Sequence, residues 1–170
     1  EKTSDLAKDR QYLVSFLQFT YAGAPTIYYG DEIGMVGSDD PDDRRAFEWG
    51  KGNRELVEWY ATLAAVRRAY PALRTGSIEM LELKSQNLMG FVRSDANDTL
   101  TVIANNSQSA KTVSLEGSYI NVLTGETFDG TIPALNGVIL VSAEDAKEIT
   151  MNLSDLAPAY DASYIVAERP

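Results

Sequence analysis

A short run with the sequence PTIYY, at residues 25–29, constrains the fold of the first part of the chain more than any other feature. The run is β-prone, it does not alternate apolar with polar residues, and Gly23 and Gly30 bracket it. This pattern is typical of a short parallel strand that is buried on both faces. Helical patterns precede and follow the run, at residues 6–20 and 53–70. Because one strand cannot form a sheet, we expect the other strands to come from a longer chain.

Both helical patterns carry boundary signals. Residues 3–5 (TSD) can cap the first helix, in which apolar side chains recur through residues 6–20. Asn53 is a good N-cap for the second helix, whose apolar side chains recur at helical spacing until Pro71. A helix, a buried strand, a long loop and a second helix follow one another as in an α/β layer. We therefore predict an α/β fragment for this part of the chain.

After Gly76 the helical period disappears, and short β-prone runs separated by turn residues take its place. We predict strands at residues 78–83, 88–93, 100–104, 112–115, 119–123 and 138–141. The regular spacing of the turns favours an antiparallel all-β sandwich over a βαβ unit. We expect a second domain to begin near Ser77 and to cover residues 77–143. Residues 144–170 would then form an extra strand around 164–166, a linker tail, or both.

The composition excludes several kinds of chemistry. The chain has 170 residues, a formal net charge of -10, and neither Cys nor His. The acidic charge repels phosphate backbones and anionic lipid, so we expect no nucleic-acid and no membrane partner. No apolar run approaches the roughly 20 residues that a membrane span needs. Without imidazole or thiolate, Ser-His-Asp catalysis and metal binding through His or Cys are excluded, which leaves carboxylates, Lys, Tyr and Arg for chemistry.

Three stretches carry a family resemblance: FLQFTYAGAPTIYYGDEIGM at residues 16–35, GSDDPDDRRAFEW at 37–49 and LVEWYATLAAVRRAYPALRTGSIEML at 56–81. They resemble the end of the catalytic barrel, and its exit into the C-terminal β-domain, in the alpha-amylase family of glycoside hydrolases (family 13). Within this family the chain looks most like the neopullulanase, cyclomaltodextrinase and amylopullulanase group. The resemblance is specific through about Leu83 and only architectural beyond it.

The resemblance implies a fold for each part of the chain. Residues 27–29 would lie on the eighth strand of a (β/α)8 TIM barrel, and residues 1–76 would form the C-terminal part of that barrel, its last β/α unit. The N-terminal part of the barrel is then a missing partner. In such barrels the loops that follow the strands carry the chemistry, so the loop from Asp31 to Gly52 would open onto the active-site face.

The resemblance also implies a function, which is retaining hydrolysis of α-glycosidic bonds in starch, pullulan or maltodextrins by a full-length parent. The catalytic carboxylates of the family precede the segment that contains Asp31 and Glu32, so we expect no catalytic residue in this chain and no activity from it alone. A physical argument agrees. The two carboxyl groups of a glycosidase face each other about 5 to 9 Å apart, whereas adjacent side chains on an extended segment point to opposite faces.

The loop sequence SDDPDDRRAFEW contains the candidate binding residues. Similarity to the group's Asp-Pro-Asp-x-Arg motif implies that Asp40 and Arg44 contact the glucose on the non-reducing side of the cleaved bond. Arg donates hydrogen bonds to sugar hydroxyls and Asp accepts them. The alternative is a solvated acidic loop that Arg44 and Arg45 pair internally, at about 0 to 1 kcal/mol per exposed pair. We expect no cofactor. Calcium bound by aspartates of residues 39–43 is a further alternative, although their spacing lacks the alternation and Gly of an EF-hand loop.

Aromatic residues near the loop have two interpretations. Tyr28, Tyr29, Trp59 and Tyr60 would form a sugar-stacking platform if they were exposed, but a buried strand and an apolar helix stripe favour core packing. Trp49 follows the loop and packs either beneath it or against a ligand.

A second class of function stays open, a non-catalytic carbohydrate-binding or structural β-module with the helical segment as an adaptor. Exposed aromatics on one face of the sandwich would favour it, but the β-region has only Phe91, Tyr119 and Phe128. In the first class the partner is an α-glucan oligosaccharide or polysaccharide, bound through the parent enzyme. The tail DLAPAYDASYIVAERP, at residues 155–170, hints at a continuing multidomain extracellular chain.

Overall fold

The helices of the protein begin and end where the sequence signals place them. The computed structural model describes residues 4–150. Its helices are α1 (Asp5–Thr20), α2 (Arg54–Ala69) and the short α3 (Ala72–Thr75). Ser4 Oγ accepts a hydrogen bond from the first turn of α1 at 3.2 Å, and Asn53 Oδ1 accepts two from the first turn of α2, at 2.9 and 3.3 Å. With α2 ending just before Pro71, both helix predictions are confirmed.

Eight antiparallel strands follow the helices: β1 (Ser77–Leu81), β2 (Leu88–Ser94), β3 (Thr99–Asn105), β4 (Lys111–Thr112), β5 (Tyr119–Asn121), β6 (Glu126–Thr127), β7 (Thr131–Ile132) and β8 (Asn136–Ser142). Six of them form one sheet in the order β1-β2-β3-β8-β5-β6, and β4 pairs with β7 in a small second sheet. All six predicted strands have a counterpart, but those predicted at 78–83, 112–115 and 119–123 are shorter, and β4 shares only Thr112 with its prediction. The strands β6 and β7 have two residues each, too few for a pattern. The predicted sandwich is therefore lopsided, with six strands against two.

The large sheet is covered on both faces. Val102 of β3 and its partner Ile139 of β8 pack in a cluster with α1 and α2. The adjacent pair, Ile103 and Val138, packs in a second cluster with Ile132 of the small sheet. This alternation is the period of a pleated strand, whose successive side chains point to opposite faces. The helices and the sheet thus share one hydrophobic core, which extends across the position of the predicted domain boundary.

Helix α1 lies close against β8 at one glycine. A Cβ atom on Gly137 would overlap ring carbons of Phe16 of α1 and would lie 2.8 Å from Ile103 O. Phe16 is fully buried. The missing side chain at position 137 therefore sets how closely the helix approaches the sheet.

The predicted buried strand at residues 27–29 is wrong for this chain. The segment belongs to no sheet, Tyr29 already lies in a turn, and Ile27, Tyr28 and Tyr29 are 41%, 55% and 41% exposed. A strand forms only where neighbouring strands accept and donate its main-chain hydrogen bonds. Every strand between residues 4 and 150 lies after Gly76 and is engaged in the antiparallel sheets. The segment therefore has no strand to pair with in the described part of the chain.

The segment that follows β8 is fastened to the end of α2. Lys147 N–H donates to Tyr70 Oη at 2.9 Å, and Lys147 Nζ donates to Asp98 Oδ1 at 2.5 Å. Residues 143–150 contain no strand. The strand predicted around 164–166 and the tail lie outside the described residues. Of the helices that the structure describes, none combines the length and the apolar character that crossing a membrane requires.

Candidate functional site

A long loop (residues 30–52) connects the first and second helical regions and is anchored at its base. Ile33 is buried, and its carbonyl oxygen accepts a hydrogen bond from Asn53 N–H at 2.9 Å. A Cβ on Gly52 would lie 2.7 Å from the same oxygen, and φ of Gly52 is +113°, so only glycine fits there without strain. The loop begins and ends at one point beside α2, and its middle extends into solvent.

The adjacent acids Asp31 and Glu32 form the first turn of this loop. They lie in the 3-10 turn Asp31–Ile33, in which Glu32 Oε2 accepts a hydrogen bond from Gly30 N–H at 2.9 Å. Gln11 Nε2 of α1 donates to the Asp31 carbonyl oxygen at 2.6 Å. The Glu32 carboxylate is thus engaged in closing the turn, which is a structural use of the residue.

Arg45 organises the middle of the loop. Its guanidinium donates to Val36 O and to Asp42 Oδ2, the latter at 2.9 Å, and it lies 3.6 Å from Glu48 Oε1. Asp42 Oδ2 also accepts a hydrogen bond from Ser38 N–H at 3.0 Å. The Ser38 main chain, with the charge of Arg45, lowers the pKa of Asp42 below its ordinary value. Arg45 and Asp42 therefore hold the two sides of the loop together.

The structure brings the two predicted binding residues together at the tip of the loop. Arg44 Nη2 forms an ion pair with Asp40 Oδ2, and Arg44 Nε lies 3.9 Å from Asp43 Oδ1. The side chains of Arg44 and Asp40 are 62% and 61% exposed. This is the internal pairing of the solvated-loop alternative, and at such exposure it contributes about 0 to 1 kcal/mol. The contact with glucose stays a prediction.

A cleft of about 200 Å³ lies between the loop and the preceding tyrosines. Tyr28 and Tyr29 line it with their ring centroids 4.8 Å apart, and Tyr29 Oη donates to Arg45 O at 2.8 Å. Asp31 and Asp42 contribute to its wall. Sequence reasoning assigned both tyrosines to the core and missed this cleft. Their position directly before the Gly-Asp turn is the signal that could have placed them beside the loop.

The remaining aromatic predictions have separate outcomes. Trp59 donates from Nε1 to Ser15 Oγ at 3.0 Å, and Tyr60 is buried, so the core packing of both is confirmed. Trp49 packs against Phe47 with ring centroids 4.6 Å apart and keeps 48% of its surface exposed. Trp49 therefore packs within the loop, and about half of its surface stays exposed to solvent.

The acidic residues of the loop do not converge on a metal site. Among residues 4–150, no three acidic side chains come close enough together to hold a metal ion. Asp40, Asp42 and Asp43 are each directed toward an arginine instead. The calcium alternative thus has no preformed ligand set in the described part of the chain.

Comparison with known proteins gives three informative matches. A cyclomaltodextrinase of Bacillus sp is 37% identical over 128 residues, which cover 73% of this chain and 23% of that protein. An amylopullulanase of Thermoanaerobacter thermohydrosulfuricus is 31% identical over 167 residues, or 84% of this chain and 11% of that protein. The crystal structure of maltogenic amylase from S. marinus superposes with a TM-score of 0.71 at 29% identity, covering 79% of this chain and 19% of that chain. No family model matches the chain.

These matches each cover more than two thirds of this chain, and they define a class of protein. The chain belongs to the alpha-amylase family of glycoside hydrolases, family 13. Within that family it is similar to cyclomaltodextrinases, neopullulanases and amylopullulanases. It spans 23% or less of the length of these relatives and corresponds to their C-terminal region.

Proposed function

We propose that this chain is the C-terminal portion of an α-glucan hydrolase, formed by the end of its catalytic barrel and the β-domain that packs on it. The parent would cleave α-glycosidic bonds in starch, pullulan or maltodextrins with retention of configuration. The observation that carries the proposal is the similarity to cyclomaltodextrinases and amylopullulanases, which covers 73% and 84% of the chain.

The distribution of exposed apolar side chains supports an incomplete barrel. Val14 on α1, Ile27, Tyr28, Tyr29 and Trp49 are all large apolar residues with open surfaces. Together with Tyr21 they make up six of the seven exposed large apolar side chains among residues 4–150, and all six occur in the first third of the chain; the seventh is Met80 on β1. A concentration of exposed apolar side chains is typical of an interaction site. We infer that the rest of the barrel covers it and supplies the strands with which residues 27–29 pair.

Asp40 and Arg44 have the chemistry and the accessibility of sugar-binding residues. Their ion pair is exposed and weak, so sugar hydroxyls can replace it at little cost. Arg44 presents a planar set of donors and Asp40 presents two acceptors. Arg45 and Asp42 hold the loop from below, so the tip does not depend on the Asp40–Arg44 pair for its shape. In the parent these two residues would bind the glucose on the non-reducing side of the cleaved bond.

The catalytic carboxylates are expected in the part of the parent that precedes this chain. We therefore expect the 170-residue chain alone to hydrolyse neither pullulan nor a cyclic maltodextrin. The longer protein encoded by the gene together with its upstream region should hydrolyse them. The test is to sequence the coding region upstream of Glu1, to produce both proteins and to measure the release of reducing sugar. Hydrolysis by the isolated chain, or an unrelated domain upstream of Glu1, would overturn the proposal.

The second candidate function is a non-catalytic carbohydrate-binding β-module. One observation favours it: of the aromatics in the β-region, Tyr119 and Phe128 are only partly buried and line a concavity, while Phe91 is fully buried against Tyr21. If the upstream sequence encodes no catalytic barrel, this function replaces the first.

A further inference from the structure

Two neighbouring concavities lie on the β-region and share one wall. The larger has a volume of about 470 Å³ and lies between the connection of β1 to β2 and the end of β4. The smaller has about 210 Å³ and lies beside β5 and the turn before β7. Val113 and Ser114 line both. The larger volume falls within the range of about 300 to 1,000 Å³ that small-molecule sites have.

The larger concavity combines an apolar floor with hydroxyl groups. Leu83 and Leu88 are partly buried, and they pack on the second core cluster. Thr112 and Ser114 line the wall, and within residues 4–150 neither hydroxyl has a hydrogen-bond partner. An apolar floor with free hydroxyls matches the alternating C–H faces and hydroxyls of a sugar.

Two charged side chains at the larger concavity determine which ligands fit. Glu82 and Lys84 both line it, and neither takes part in an ion pair or a side-chain hydrogen bond among the described residues. Their opposite charges cancel, so the concavity offers a donor and an acceptor without favouring a charged ligand. The net charge of -10 also repels polyanions. A neutral ligand rich in hydroxyl groups suits this surface best.

The smaller concavity adds aromatic surface. Tyr119 and Phe128 line it together with Asp129. Gly117 has φ of +103°, and a Cβ there would lie 3.7 Å from Tyr119 Cε2 and 3.8 Å from its Oη, so glycine leaves this edge of the ring uncovered. Tyr119 Oη donates to Glu116 O at 3.0 Å and keeps its lone pairs for an incoming hydroxyl. Aromatic rings with a polar tip contact sugars through both parts.

We propose that the two concavities form one groove, continuous across Val113 and Ser114, that binds a second stretch of neutral α-glucan chain. The inference rests on the proposed function for the identity of the ligand. The residues that line the groove are distinct from those of the cleft beside the long loop. A polysaccharide held at both places is bound twice, and the second contact raises the overall affinity without changing the reaction.

The test uses the 170-residue chain and maltoheptaose as the probe. We expect saturable changes in the amide NMR signals of residues 82–88 and 112–119, with little dependence on salt because the ligand is neutral. Ser114→Arg places a long side chain in both concavities and should weaken binding at least tenfold. Thr127→Arg is the matched control, because Thr127 is exposed on a two-residue strand and lines neither concavity. Equal thermal unfolding of both variants excludes misfolding.

Two outcomes would overturn the proposal that the groove binds α-glucan. One is an absence of binding at millimolar maltoheptaose. The other is binding that Arg44→Ala abolishes and Ser114→Arg leaves unchanged, which would place the sugar at the long loop. Both outcomes leave the proposed hydrolase intact, since that proposal depends on the upstream sequence and on hydrolysis by the longer protein.

Discussion

The Arg93 guanidinium of β2 donates a hydrogen bond to the carbonyl oxygen of Thr20, the last residue of α1, at 3.0 Å. Arg67 of α2 donates to the preceding carbonyl, that of Phe19, at 2.7 Å. The last turn of α1 has no basic residue of its own. The two buried arginines therefore supply, from other elements, the positive charge that a helix C-terminus favours.

Arg93 also closes the junction between α3 and the first strand of the sheet. It donates to the carbonyl oxygens of Gly76 and Ser77, both at 3.0 Å, and it is 1% exposed. Burial lowers its pKa. We predict that Arg93→Met lowers the free energy of unfolding by about 2 to 4 kcal/mol, since one buried and two partly buried carbonyls lose a charged donor. Chemical denaturation measures this, and exposed Arg68→Met is the control, with an expected change below about 0.5 kcal/mol.

Lys147 neutralises a buried carboxylate. Asp98 is 3% exposed, its Oδ1 accepts from Lys147 Nζ, and its Oδ2 has no partner among the described residues. Lys147→Met should therefore cost about 3 to 5 kcal/mol of unfolding free energy, because it leaves an uncompensated buried charge. The same change at exposed Lys51 should be nearly neutral. Adding Asp98→Asn to Lys147→Met should recover part of the loss, and a double variant that is no more stable than the single one would contradict this role.

Gly137 controls the approach of α1 to the sheet. Because a Cβ at this position overlaps the ring of Phe16, Gly137→Ala should destabilise the protein by about 1 to 3 kcal/mol through overpacking. Combining it with Phe16→Leu, which shortens the opposing side chain, should cost less than the sum of the two single changes. A double-mutant cycle followed by thermal unfolding measures this coupling, and strict additivity would show that the two positions do not compete for space.

The order of the long loop should depend on pH through Asp42. Its pKa in the folded protein lies below the ordinary value of 3.8, so its contribution is present above about pH 4 and is lost as the pH falls through the lowered pKa. The Ser38 amide NMR signal, which reports the hydrogen bond to Asp42, should therefore shift at acidic pH. In Asp42→Asn the acid-dependent shift should disappear. If the Ser38 signal of that variant still shifts at acidic pH, another acidic residue controls the loop.

The Asp40–Arg44 pair should matter for binding and not for stability. Because the pair is exposed, Arg44→Ala should change the unfolding free energy by less than about 1 kcal/mol. In the longer parent enzyme the same change should raise KM or lower kcat/KM for maltodextrins by at least tenfold, since each lost hydrogen bond to a charged donor is worth about 1.5 to 3 kcal/mol. Lys51→Ala is the control. Unchanged kinetics would show that the tip of the loop does not contact the substrate.

The sequence by itself determined the elements whose signals are local. Asn53 accepts hydrogen bonds within the next three residues, and Pro71 lacks the N–H that would continue α2, so both ends of that helix were predictable. The strands β2, β3 and β8 were predictable because each has enough residues to carry a pattern. Arg44 and Asp40, four positions apart, were predicted by a local motif to contact one glucose, and the structure shows them as an ion pair.

Only the tertiary structure decided the contacts between distant parts of the chain. Residues 27–29 have the composition of a buried strand, but pairing depends on strands elsewhere, so the segment is exposed here. The contact of Arg93 with Thr20 joins positions 73 residues apart, and that of Lys147 with Asp98 joins positions 49 apart. No local pattern encodes such contacts. A long charged side chain can extend into solvent or be buried along its stem, and the elements that pack around it decide which of the two occurs.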